Sequence, residues 1–542
     1  MASNRTLWRR MRQSARIFVF AQRLIDHPTT SAEAAEGIRS RLARRPDIFL
    51  ETLERTVYAH ADSPYRPLLD AAGYDLSRVR SLVGKEGVES ALRRLCSDGV
   101  YVSIQEFKGI QEARRGDRVF RFNERNFTNP IAGSGSGLSV SSGGTSGRPI
   151  ATEISLSNFQ LGAAHLATAL AAYGLEGKPA IMWLTITHGA SLWGVLSLAA
   201  VRNPVAAWFS PFPVSLLGGD RLPASYLSLR LWGRLRGSSL PGVTHVPFGQ
   251  ESRILAWMGS SMANGCAILT TPSCALRLAL AAARKHARLT GITFVTIGEP
   301  LTPAKLATIQ STGARAFSSL GFTEFGRATY GCASPVTPDE MHVCRDALAV
   351  VQRKRVVDHA GTEVDALMFT SLLPNARRIL LNMETGDYGR MTTRSCGCPL
   401  EVLGWTDHLQ DIRSFEKLNA EGRLFFGSQL ISLVEQTLPQ RFGGDPTDYQ
   451  LVEQEDEEGL TRLSVHVHPR LAGIDENAVR DCIEVVLSEA APAAAVLWRK
   501  ADTVRVRRAP PIVTRTGKLM PLLRLDLPDQ SSHQDLVTVG SV

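Results

Sequence analysis

The chain has 542 residues, of which 44% are hydrophobic and 21% charged, and carries a formal net charge of +9. That length exceeds one ordinary core, so two or more domains are expected. The charges are spread without a Lys/Arg block interleaved with aromatics, which disfavours a nucleic-acid partner, and no run reaches the ~18 apolar residues of a membrane span.

Eight cysteines are scattered with no disulfide-framework spacing, so a reduced, cytoplasmic setting is expected. Trp8, Met11, Ala15 and Phe18 recur at helical spacing and read as an amphipathic helix packed on the domain. Residues 1–110 read as a helical lead-in, with amphipathic stretches at 39–58 and 87–95. The stretch 139–149 follows, built from small residues and hydroxyls, with Arg148 and Pro149 at its end. Such a loop lets backbone N–H groups approach phosphate oxygens; a flexible linker is the alternative reading of the stretch alone.

From residue 178 the pattern alternates. Strands are expected at 180–184, 205–209, 268–270, 292–297 and 314–320, and helices at Ala190–Ala200, 273–287 and 303–309. Strand, helix, strand implies a parallel sheet covered by helices, with ligands in the loops after the strands. Two such loops are 298–302 and 321–324. Residues 339–403 read as strand-rich. A boundary is expected near Gly404, followed by a smaller α+β domain to 525 and a polar, disordered tail over 526–542.

Four motifs stand in order: Ser142-Gly143-Gly144-Thr145-Ser146-Gly147-Arg148-Pro149, Leu320-Gly321-Phe322-Thr323-Glu324, Glu384-Thr385-Gly386-Asp387 and Thr514-Arg515-Thr516-Gly517-Lys518. Together they resemble the adenylate-forming (ANL) superfamily and, within it, the phenylacetate–CoA ligase-like branch, over roughly residues 60–525. The resemblance implies an α/β fold: a large N-terminal domain over 1–403 and a small mobile C-terminal domain over 404–525. It also implies activation of a carboxylic acid by ATP and Mg²⁺ as an acyl-adenylate, then transfer to a thiol. CoA or a carrier protein would be the acceptor. Transfer to a protein side chain or amine, and a nucleotide-binding pseudoenzyme, are the alternatives.

The same resemblance implies site roles. Ser142, Gly143, Gly144, Thr145, Ser146 and Gly147 would hold the leaving phosphates. Gly298, Glu299 and Pro300 would run along the adenine, with Gly321 and Phe322 beside it. Thr323 would bind the α-phosphate, Glu324 would ligate Mg²⁺, and Asp387 would accept from the ribose hydroxyls. Lys518 would bridge the attacking carboxylate and the α-phosphate, and Asp407, within Gly404-Trp405-Thr406-Asp407-His408, would be the hinge. His188 is placed near the substrate carboxylate, with Trp183, Trp193, Phe209 and Phe322 as an aromatic wall.

The sequence departs from the pattern in places. Leu320 replaces an aromatic residue, 381–384 replaces a basic run, and Trp405 replaces the hinge arginine; Arg413 is the candidate for the missing charge. The segment after the hinge is lengthened, and Gly427 is the candidate for the glycine lining a thiol tunnel. Some members of that branch hold a structural Zn²⁺, and Cys332, His342, Cys396 and Cys398 are its candidate ligands here, with Cys344 a spare.

Overall fold

The computed structural model describes residues 19, 21–23, 26–131, 138–141, 151–185, 190–213, 226, 230–231, 233–234, 240–262, 265–356, 363–414, 427–455, 461–490, 504–514, 518–525 and 536–538. The phosphate loop 142–147, Arg148, Pro149, His188 and the N-terminal positions Trp8 to Phe18 lie outside them.

The lead-in is helical, from Ser31–Ala43 through Val88–Ser97 to Ile104–Phe107. Its starts are set by short polar residues: Thr30 and Ser103 each close a capping box with a glutamate three residues on, and Asp75 accepts from the Arg78 N–H. The stretch 39–58 is not one helix. It breaks at Arg44, just before Pro46, and ends in a wide turn over Glu54–Tyr58.

The middle of the chain builds a six-stranded sheet in the order Arg315–Phe317, Ile292–Thr296, Cys266–Thr270, Ala180–Trp183, Val205–Ser210, Val243–His245. Every pairing is parallel. The strands Ala180–Trp183, Cys266–Thr270 and Ile292–Thr296 are buried at every residue, because helices cover both faces. The helix Ala190–Ala200 is observed over the residues expected, and Pro272–Arg284 and Pro303–Ser311 start on threonine caps followed by proline.

A second, antiparallel sheet of six strands follows, in the order Thr329–Gly331, Met341–Val343, Asp407–Ser414, Met383–Thr393, Glu363–Ser371, Leu348–Val356. The boundary expected at Gly404 is therefore displaced. Asp407–Ser414 is an interior strand of the large domain, paired on both sides, so the chain leaves that domain after Ser414. A polar strand such as Asp-His-Leu-Gln-Asp-Ile-Arg-Ser reads as a linker, although one of its faces is buried.

The small domain places Val504–Arg508, Thr461–Val467, Tyr449–Glu455 and Leu522–Leu525 in one sheet, with the helix Glu476–Ala490 against it. The tail expected to be disordered contains a strand, Leu536–Thr538, paired with Ile512–Thr514.

Candidate functional site

A cavity of about 260 Å³ lies where the two domains meet. The large domain contributes Gly298, Gly321, Asp339, Asp387 and Arg413, and the small domain contributes Leu430 and Lys518. Residues separated by more than 200 positions in sequence therefore line one space, and Gly298, Glu299, Pro300, Gly321, Asp387 and Lys518 among them were expected to share a site. Its walls are apolar at Leu320, Met341, Ile412 and Leu430, with a few charges converging on them, the usual make-up of a small-molecule site.

Backbone geometry delivers each polar group. Gly298 follows a strand of the parallel sheet and has φ +91°, and a Cβ there would stand 2.7 Å from Lys518 Cε. The positive φ favours glycine, and a side chain there would push the end of Lys518 aside. Asp387 sits in Met383–Thr393, whose pairing with Asp407–Ser414 shifts register between Tyr388 and Arg390. Asp411 takes φ +55° beside that bulge. A bulge re-aims the residues beyond it, here Ile412, Arg413 and Ser414 on the pocket wall. Arg413 Nη1 donates to Asp339 Oδ2 at 3.4 Å, and burial raises the Asp339 carboxyl above its ordinary range.

Lys518 is held in place by its neighbour. Leu519 N–H donates to Glu299 Oε1 at 3.1 Å, and Ser273 Oγ lies within reach of both Glu299 and the Leu519 carbonyl, 3.3 Å away. Glu299 is thus directed at the domain interface, and burial raises its carboxyl's pKa. A second polar contact sits beside it. Lys305 Nζ lies 3.0 Å from Glu435 Oε1 of the small domain and 3.9 Å from Glu299 Oε2. Thr302 Oγ1 donates to the other oxygen of Glu435. Burial opposes the Lys305 charge, but Glu435 and Glu299 outweigh it and its pKa is raised. These buried residues clamp the small domain with Lys518 inserted.

Other expected site residues lie elsewhere. Thr323 and Glu324 occupy the turn of a hairpin, Gly321–Phe322 with Gly326–Arg327, and do not line the cavity. Burial raises the Glu324 carboxyl, and Arg378, Lys108 and Arg377 surround it with positive charge. Burial outweighs these cations, and Glu324 stands beside the pocket residues Leu320 and Gly321 without lining the pocket itself. Phe322 packs on Phe369, with ring centroids 4.9 Å apart, rather than in the pocket. Trp183 and Phe209 are core residues beneath the parallel sheet. Trp193 borders a cavity of about 40 Å³ shared with Arg377, and Phe209 borders a separate one of about 330 Å³; neither is the interdomain pocket. The Arg377 guanidinium stands 4.5 Å from the Trp193 ring, and burial lowers its pKa to about 9. Gly427 begins the helix Gly427–Ser432.

Asp407 is not at a pivot. It accepts from Arg345 at 2.8 Å and from Thr393 at 3.1 Å inside the antiparallel sheet. Trp405, which stands for the hinge arginine, is fully buried: its indole donates to Asp346 at 3.1 Å, and Asp346 also binds Arg41 and His165. His165 and Arg41 outweigh burial and hold the Asp346 carboxyl down at about 2.

A second cluster stands apart from the pocket. Cys332, His342, Cys396 and Cys398 bring their ligand atoms within 4.8 Å of one another. His342 Nε2 lies 3.2 Å from Cys398 Sγ and 3.7 Å from Cys396 Sγ. Tetrahedral zinc, with Zn–N of about 2.0 Å and Zn–S of about 2.3 Å, sets N and S ligands about 3.5 Å apart, so the set fits that ion. The other His342 nitrogen, Nδ1, faces the Trp405 carbonyl at 2.6 Å, which fixes Nε2 toward the thiols. The Cys396–Cys398 turn is held by Glu401, which accepts from the Cys396 N–H at 2.8 Å. His342 and Cys332 pull the Cys398 thiol down, while its burial and the Cys398 contact push Cys332 up. Cys344 is buried outside the cluster.

Sequence reasoning missed Asp339, Lys305 and Glu435. Each reads as an ordinary surface charge, and only the fold brings Lys305 and Glu435 together across a domain boundary.

No protein-family model matches the chain, and no curated protein is similar to it in sequence. Among solved structures, it is similar to ATP-bound MatB from Rhodopseudomonas palustris: 13% identity, TM-score 0.43, over 71% of this chain and 67% of that one. The amide bond synthetase McbA from Marinactinospora thermotolerans gives 12% identity and a TM-score of 0.41, over 93% and 98%. The long-chain-fatty-acid-CoA ligase FadD1 from Archaeoglobus fulgidus gives 13% and 0.32, over 68% and 64%. Likenesses this weak carry no statement about the site.

Proposed function

We propose that this chain is an adenylate-forming acid ligase. A carboxylate attacks the α-phosphorus of ATP, an acyl-adenylate forms and pyrophosphate leaves; the acyl group then passes to a thiol, of CoA or of a carrier protein. The observation that carries the reading is the insertion of Lys518, from the small domain, against Gly298 in a pocket lined by Asp387 and Arg413.

The chemistry asks for that arrangement. Carboxylate and phosphate are both anions, and an ammonium between them cancels repulsion worth several kcal/mol at short range. Asp387 suits two ribose hydroxyls as an ionised acceptor. The loop 142–147 offers backbone N–H groups and hydroxyls for the leaving phosphates. Thr323 and Glu324 are not used, because their turn lies outside the pocket. Acyl transfer needs an acceptor where Lys518 now stands, so the small domain must withdraw, breaking the Glu299–Leu519 and Lys305–Glu435 contacts.

Pyrophosphate exchange over a panel of carboxylic acids tests the first step. Exchange with one acid and not others is the expected result; no exchange with any acid would sink the reading. CoA and then a carrier protein, added to the active acid, separate the acceptors.

We also propose that Cys332, His342, Cys396 and Cys398 hold a structural zinc, which would pin three segments of the large domain. One zinc per chain after gentle purification is expected; clearly substoichiometric metal would refute it.

A further inference from the structure

A cavity of about 730 Å³, sharing no residue with the interdomain pocket, opens between the helical lead-in and the edge strand Leu348–Val356. Its charge is one-sided. Arg93, Arg114, Arg115, Arg118 and Arg353 line it against Asp98 alone. Glu106 holds Arg115 at 2.9 Å and Glu112 holds Arg114 at 2.9 Å. Arg93 and Arg118 form no ion pair among the described residues, and Arg353 forms none within 4 Å, although the buried Glu384 carboxylate attracts it from behind the wall.

These three come from separate elements: a helix, a hairpin and a strand. Arg353 is fixed in advance. Its guanidinium carbon stands 4.0 Å from the Tyr101 ring centroid, and its Nη2 donates to Tyr101 Oη at 3.1 Å. Arg115 stands 3.8 Å from the same centroid. Two guanidinium groups therefore pack against one ring.

We infer that this cleft binds a polyvalent phosphate: an inorganic polyphosphate or the phosphate chain of a nucleotide. Like charges gathered in a concave wall repel one another and focus a positive potential, and a polyanion relieves both. Arginine forks match phosphate oxygens two at a time. The volume is that of a small-molecule site. Tyr101, the one aromatic ring among the described lining residues, already packs against two guanidinium groups, so the wall offers charge rather than a stacking surface and the phosphates are what is recognised. The inference stands independently of the adenylation reading.

The test is calorimetric titration of the full chain with inorganic tripolyphosphate, GTP and a polyglutamate peptide, on the wild type and on Arg93→Gln/Arg118→Gln. Both arginines are exposed, so the double variant keeps the fold, and its melting temperature verifies this. Expected is a site for tripolyphosphate weakened about tenfold or more in the double variant, and further by Arg353→Gln. Tighter binding of GTP than of tripolyphosphate at that site would name a nucleotide as the source, and equal binding the phosphate chain alone. No wild-type binding, or binding unchanged in the variants, overturns the inference. So does polyglutamate binding through these arginines in preference to tripolyphosphate, which would make the cleft a dock for an acidic protein.

Discussion

The interdomain pocket and the cysteine–histidine cluster are both assembled from distant segments, but they are held together differently. The pocket depends on a few polar contacts across a domain boundary: Leu519 to Glu299, and Lys305 and Thr302 to Glu435. The cluster sits within one domain, its histidine fixed by the Trp405 carbonyl and its turn by Glu401. Contacts of the first kind can be broken and remade without unfolding either domain; those of the second cannot be lost without loosening the sheet around them.

Replacing Cys396 and Cys398 by serine, or stripping metal with a strong chelator, should cost about 5 kcal/mol or more and lower the melting temperature of the large domain. An unchanged calorimetric transition would show that the cluster is not a fastening point. In the pocket, Lys518→Ala should reduce pyrophosphate exchange about a thousandfold, roughly 4 kcal/mol at the transition state, with the melting curve unmoved. Normal exchange would remove the lysine from the mechanism.

Smaller effects sharpen the contrast. Glu435→Gln leaves the buried Lys305 charge without its nearer partner and should loosen domain docking by about 3 kcal/mol. Protease cleavage within 415–426 should rise, while the large domain melts as before; equal cleavage rates would show that this contact does not hold the domains. Asp346→Asn probes the support behind Trp405. The Asp346 carboxyl is held at about 2 against an ordinary 3.8. Its stabilisation is therefore present above pH ~4 and lost as pH falls toward ~2, about 2 kcal/mol in all. Denaturant midpoints of wild type and variant should converge over that window, and a gap independent of pH would assign the loss to hydrogen bonding alone.

Much of this was legible in the sequence where local chemistry is decisive. Apolar runs with β-branched residues, such as Ile292–Thr296, marked buried strands, and the strand–helix alternation placed helices at 273–287 and 303–309, against the observed Pro272–Arg284 and Pro303–Ser311. The four metal-binding candidates were legible because Cys-x-Cys is rare by chance and the family resemblance supplied the other two. Asp407 was misleading because a polar, half-buried strand resembles a linker, and Trp405 because a buried hydrogen-bonded indole has no sequence signature. Trp183 and Phe209 illustrate the opposite error, since an aromatic next to an active-site loop is as often core as pocket. Lys305 and Glu435 were unreadable, because their pairing exists only after two domains have docked.

The strand Asp407–Ser414 starts two residues beyond Trp405 and ends on the pocket wall. Eight residues at ~3.4 Å reach about 25 Å, so this strand is a tie-rod between the two regions. A rod anchored at one end cannot slide, and sliding matters here: a slip of one residue would turn every side chain over and carry Arg413 away from Asp339. The cysteines, none of which lines the pocket, thereby set the gauge to which it is cut.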